Sequence, residues 1–279
     1  MKKEERLTLL WKYILLAVGS ILILIPLLAT IFSSFKTTQD IMKHFFAFPN
    51  PATLANYTRL LADGIEDYFL NSALITVLSV LLVMLFIPAA AYSIARHMSR
   101  QKAYAIMYSL LILGIFVPFQ VIMIPITVMM SRLGLANMWG LIILYLTYAV
   151  PQTLFLYVGY IKLSIPDSLD EAAMIDGADR FVTYRKVIFP MLKPMHATVA
   201  ILAALAAWND VLLPLVMLSG GDGSDNTLPL AQMVFQSQFG TNYNLAFASY
   251  ILALLPMLIF YLFAQKQIIN GVTNGAVKG

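Results

Sequence analysis

The sequence predicts an all-α polytopic membrane protein of six transmembrane helices, and three observations carry that expectation. The first is composition: 60% of the 279 residues are hydrophobic and 11% are charged, whereas a soluble domain carries roughly 25% charged residues. The second is length. Stretches 13–32, 69–95, 103–127, 140–161, 197–218 and 245–264 are each near the ~20 apolar residues that cross a bilayer core, and only the fifth holds a charge, Asp210. The third is the distribution of Lys and Arg, which concentrate on the cytoplasmic side of a membrane. With the N-terminus inside, only Lys36, Lys43, Arg59 and Arg132 of the 18 fall outside. A multi-pass cell-membrane protein with both termini cytoplasmic follows. The absence of cysteine excludes disulfides and thiolate chemistry. The histidines His44, His97 and His196 are scattered, so no metal site is expected. The net charge of +4 lies mainly at the inner ends of the spans and does not point to nucleic acid.

Taken in order, the first stretch follows Lys2, Lys3 and Arg6 as a leader peptide would. A leader's apolar core is roughly 7–15 residues; this run is longer and lacks a small-residue cleavage site, so it reads as a retained helix. The outer segment 33–68 contains "AFPNPATLANYTRLLADG", where Asn50-Pro51 marks a turn and the leucines and Tyr57 recur at helical spacing, as in a small amphipathic cap. Pro118, Pro125 and Pro151 crowd the third and fourth spans. Proline frees backbone carbonyls that protein or water must satisfy, which fits either a kink or the lining of a pathway. In the fifth span, Asn209 and Asp210 either line a translocation pathway or cap a broken helix; a charge at bilayer depth costs roughly 2.5–3.5 kcal/mol and is a functional candidate. A second outer loop, "SGGDGSDNTLPLAQMVFQSQFGTNYN", opens on a turn cluster.

Between the fourth and fifth spans lies "EAAMIDGADRFVTYRKVIFPMLKP", a charged insert at 171–194. Ser164-Ile165-Pro166-Asp167 reads as a helix start, with proline in the first turn and acids near the positive end of the dipole. Gly177 stops that helix in the left-handed conformation, and Asp179 caps a second one in which Phe181, Val182, Tyr184, Val187 and Ile188 supply apolar contacts. The Ala172-Ala173 pair gives the first helix a smooth flank beside Glu171. An amphipathic helix resting on lipid explains neither the alanine pair nor the bend, so the insert reads as a protein-docking element.

Glu-Ala-Ala, three residues, Gly177, nine residues and then Val187-Ile188-Phe189-Pro190 closely resembles the "EAA" loop of ABC importer permeases, with Val187 and Phe189 where that pattern has Ile and Leu. "VPFQVIMIPITVMMSRLGLANMWGLIILYL" and "WNDVLLPL" are similar to the sugar-uptake branch, and "QKQIINGVTNGAVKG" resembles the tail of the shorter maltose-type subunit. The resemblance implies a type I ABC importer permease fold: residues 1–68 form a tail, first helix and outer loop, 69–265 the core with the coupling loop at 165–194, and 266–279 a cytoplasmic tail. It further implies a homologous second permease, two ATPase subunits, an extracytoplasmic binding protein and an oligosaccharide substrate. By the same resemblance Glu171, Ala172, Ala173, Asp176 and Gly177 meet the ATPase, and Gly275, Val277 and Lys278 make a second contact with it. The resemblance also implies no cofactor in this chain and ATP on the partner subunits, consistent with the missing G-x-x-x-x-G-K-[ST] phosphate loop. A peptide or polyamine importer is the nearest alternative. An intramembrane enzyme needs a second catalytic group near Asp210, and a channel needs no docking loop.

Overall fold

The computed structural model describes residues 3–238 and 242–276, and every regular element among them is helical. Four helices are long and apolar enough to cross a membrane, and two bent pairs raise the number to six if each counts as one span. The chain divides into two compact units, one of 1–66 with 231–256 and one of 67–230 with 257–279.

In the first unit, α1 (Lys3–Ser34) leads into two short helices, α2 (Thr38–Lys43) and α3 (Ala55–Ala62). From Leu9 to Ile25 nearly every side chain of α1 is exposed, as befits a helix that is apolar all round and meets lipid. The amphipathic cap expected at 33–68 is present, but its centre is polar. Asn56, buried on α3, donates to the carbonyls of Ser34 (2.7 Å) and Lys36 (2.9 Å) and accepts from Asn244 (2.6 Å). Lys36 is 1% exposed and donates to the carbonyls of His44 and Phe45. Burial pushes its ammonium below the ordinary lysine range, which the Asp40 carboxylate partly opposes. This unit also holds most of α13 (Leu228–Gln238) and the first part of α14 (Tyr243–Ala276).

The second unit holds most of α4 (Ile65–His97), then α5 (Lys102–Leu113) and α6 (Phe119–Arg132), α7 (Met138–Ser164), the insert, α11 (Lys193–Asn209) and α12 (Leu212–Leu218). The insert contains α8 (Ser168–Ile175), α9 (Arg180–Thr183) with a π-helical turn at Tyr184–Ile188, and α10 (Phe189–Met191). Its core reads as helical spacing on three elements: Val83, Ile87, Ala91 and Ile94 from α4 meet Leu154, Val158, Ile161 and Ile165 from the end of α7, and Ile188, Leu192, Met195 and Val199 close the third side. Inside a bilayer such contacts stabilise by packing rather than by removing surface from water.

Two expected spans are broken. The third bends by 105° between Phe116 and Phe119. Pro118 disfavours helical backbone at Val117, which is extended, and Pro118 itself opens α6. Pro125 and Pro151 stay inside their helices. Against Pro151 packs Gly114: a β-carbon there would lie 2.8 Å from the proline ring, so glycine lets the end of α5 touch α7. The expected fifth span, 197–218, stops at Asn209; Asp210 is extended and α12 starts afresh at Leu212. Pro214 does little harm to α12, since the N–H it lacks belongs to the unpaired first turn.

Candidate functional site

The insert hangs between α7 and α11 and is fastened to a third element, α4, through Arg96 and Tyr92. Arg96, in the last turn of α4, donates from Nη1 to the carbonyl of Ile165 (3.0 Å) and to Asp167 Oδ1 (2.5 Å), and from Nη2 to the carbonyl of Pro166 (3.3 Å). Nη2 also lies 2.7 Å from Asp170 Oδ2, both side chains being 10% exposed. One turn earlier on α4, Tyr92 donates its hydroxyl to Asp170 Oδ1, and its ring stacks on Tyr184 at 5.7 Å. The guanidinium thus collects the loose carbonyls at the end of α7 and the two aspartates, Asp167 and Asp170, at the start of α8. Its planar fork suits that task in a way an ammonium does not.

Local chemistry shapes the insert as expected, with one difference. Gly177 has φ +83°. The N–H groups of Gly177 and Ala178 bond the carbonyls of Met174 (3.0 Å) and Ala173 (2.9 Å), a Schellman ending for α8. Asp179 caps α9 by accepting from Val182 N at 2.7 Å. The alanine pair, however, is divided: Ala172 is exposed while Ala173 is buried within the chain, so only Ala172 is available as a flank. Phe181, named among the apolar contacts of the second helix, is exposed, as are Met174 and Ile175, the last at 86%. With Glu171, Asp176 and Gly177 also exposed, these residues form an apolar surface edged by acid. Beneath it lies a recess of about 390 Å3, lined by Tyr92, Arg96, Arg100, Glu171, Arg180 and Phe181 among others.

Sequence reasoning counted Arg96 only as an inner charge and did not assign Asp170. The available signal was an arginine ending a span and an acid-rich "PDSLDE" starting the insert, 70 and more positions later.

The other predicted positions lie elsewhere. Asp210 Oδ1 accepts from Leu212 N (3.0 Å), which starts α12, and Oδ2 accepts from Tyr145 on α7 (3.1 Å). Asn209 is exposed and donates to the Leu205 carbonyl. Asp210 is therefore a helix starter tied to α7, while remaining partly exposed. His196 is engaged apart from it: Nδ1 meets the Tyr157 hydroxyl at 2.7 Å and Nε2 the Phe189 carbonyl at 3.1 Å, at the 75° bend into α11. Among the described residues no three of His, Asp and Glu gather as a metal site. Gly275 lies in the final turn of α14; Val277 and Lys278 lie outside the described residues.

A family model described as the inner membrane component of binding-protein-dependent transport systems matches residues 89–273. The chain belongs to that family. The match takes in Arg96, the whole insert and the break at Asp210. Over 278 residues, and all of both chains, the protein is 72% identical to the multiple sugar-binding transport system permease protein of Streptococcus mutans serotype c. A melibiose/raffinose/stachyose import permease of Bacillus subtilis is 33% identical over 91% of each chain. A chain in the crystal structure of a bacterial ABC transporter involved in the import of the acidic polysaccharide alginate shares the fold, with a TM-score of 0.83 at 23% identity, covering 95% of this chain and 98% of that one. The inner membrane component family accounts for the all-helical architecture, and the type I permease fold expected from the insert is the fold found.

Proposed function

We propose that this chain is a permease subunit of an ATP-driven importer and that its cargo is an oligosaccharide. The observation that carries the reading is the insert, an exposed apolar surface on a base fixed rigidly to three spans, in a chain whose close relatives are named for sugar import. Glu171, Ala172, Asp176 and Gly177, with Met174, Ile175 and Phe181, are the surface on which an ATPase subunit docks; Ala173 acts from behind, as packing. The tail at Gly275, Val277 and Lys278 makes a second contact with the ATPase. ATP is bound and hydrolysed by two such partners, not by this chain. A second, homologous permease completes the pathway, and an extracytoplasmic binding protein delivers the sugar.

Closure of the ATPases displaces the docked insert, and a displacement shifts a two-state bundle only if the contact differs in free energy between the states. Through Arg96 the push reaches α4, and through the chain itself α7 and α11. Asn209 and Asp210 sit where the pathway side of α11 ends. The test is expression of the chain with its ATPase, sister permease and binding protein, followed by pull-down and uptake of labelled raffinose and maltotriose. Co-purification with the ATPase and ATP-dependent uptake are expected. Passive flux without the ATPase would favour a channel, and uptake of peptides or polyamines instead would remove the sugar assignment.

A further inference from the structure

We propose that a small polar cavity at mid-span in this subunit grips one edge of the transported saccharide, an inference that rests on the oligosaccharide reading above. The cavity measures about 110 Å3 and lies between Ser79 of α4, Tyr148 and Gln152 of α7, and Ala203 and Ala206 of α11. Ser79, Tyr148 and Gln152 are near the middle of their helices, and Ala203 and Ala206 lie in the second half of α11. At that depth no bulk water satisfies a polar group, and an unpaired one costs several kcal/mol.

Two hydroxyls at the cavity wall are nonetheless unpaired. Ser79 Oγ, on a residue 2% exposed, and Tyr148 OH have no hydrogen-bond partner among the described residues. Ser79 has an easy alternative that it does not take. Hydroxyls in these spans commonly bond back to the carbonyl four residues earlier, as Ser109, Thr127, Thr147, Thr153 and Thr198 do. Thr76, one turn before Ser79, is also unpartnered, but it does not line the cavity.

The lining defines the ligand chemistry. No charged side chain borders the cavity, so nothing there neutralises an ion. Two hydroxyls and the Gln152 amide offer donors and acceptors together, the requirement of a neutral polyhydroxyl compound. Ala203, Ala206 and the Tyr148 ring supply apolar faces for carbon-bound hydrogens. Size limits the contact: with a water's share of volume near ~30 Å3, the cavity of about 110 Å3 takes a hydroxymethyl arm or one ring edge. Gln152 and Ala206 are exposed and mark its mouth, so the remainder of the saccharide lies outside this subunit.

The test uses the complete transporter with labelled raffinose and maltotriose. If the two hydroxyls are only unsatisfied, removing them is neutral or stabilising, and Ser79→Ala and Tyr148→Phe leave uptake unchanged. If they hold sugar, each variant reaches the membrane and the ATPase at wild-type amounts, melts no lower, and transports about fivefold more slowly, the loss of roughly one net hydrogen bond. Ser79→Thr keeps the hydroxyl and retains uptake. As a second measurement, Ala203→Cys gives the chain a single thiol, whose alkylation by N-ethylmaleimide should slow during raffinose turnover. Full uptake by the Ser79→Ala, Tyr148→Phe double variant, or alkylation indifferent to sugar, overturns the assignment and leaves a cavity that holds water. A wild-type complex that moves neither sugar brings down the oligosaccharide reading itself, and the cavity assignment with it.

Discussion

Arg96 shows how position decides what an ion pair is worth. Its partner Asp167 is 67% exposed, and a pair so open to solvent contributes at most about 1 kcal/mol. Asp170 is as buried as Arg96, and removing one member of a buried pair costs roughly 3–5 kcal/mol because the other charge is left stranded. We therefore expect Asp167→Asn to be nearly silent, while Asp170→Asn and Arg96→Gln loosen the insert without preventing the spans from inserting. The double variant Arg96→Met, Asp170→Leu should be less damaged than either single change, since it strands no charge. Limited proteolysis of the insert and retention of the ATPase are the readouts; a double variant worse than both singles would show that the pair is not the fastening. None of this was legible from spacing alone. Gly177, Asp179 and Asp210 are governed by near neighbours and could be read locally, whereas Arg96 and Asp170 are brought together only by the packing of α4 against the end of α7.

At the scale of the element, α8 ends at a glycine whose backbone, not its surroundings, forbids replacement. A β-carbon at Gly177 would meet nothing within 4 Å, so the cost of Gly177→Val is the left-handed backbone itself, about 1–2 kcal/mol. That is too small to keep apolar spans out of a membrane and large enough to redirect an eight-residue helix. We expect Gly177→Val and Glu171→Lys to reach normal membrane levels yet lose ATPase binding or uptake, with Gly177→Asn milder because asparagine tolerates this region better. Normal pull-down and uptake by both would exclude the insert as the docking element. The two breaks fall at positions where the sequence already offered a kink, Pro118, or a broken helix, Asp210, although hydropathy alone does not reveal them. Hydropathy sums side chains and ignores backbone, so an apolar run through Pro118 or Asp210 looks continuous although the chain turns there.

For the whole molecule, the inner and outer assignments rest on loop charge and have a direct test, because the chain has no cysteine. Ile175→Cys and Leu54→Cys place a thiol at exposed positions, 86% and 65% respectively. A membrane-impermeant maleimide should label Leu54→Cys in intact cells and Ile175→Cys only after lysis. Reversal of that pattern would invert the topology and place the insert where no ATPase can meet it.

The fastening at Arg96 also makes α4 a lever. Its 33 residues span roughly 50 Å, so a tilt of about 5° at the Arg96 end swings the far end by about 4 Å. Pro88 lies inside this rod, close to halfway between Arg96 and Ser79, where one backbone hydrogen bond of the helix is missing. If the insert transmits ATPase closure as proposed, stiffness at that joint sets the gearing: a rigid joint carries the stroke to Ser79 and beyond, while a soft one spends it in bending before it arrives.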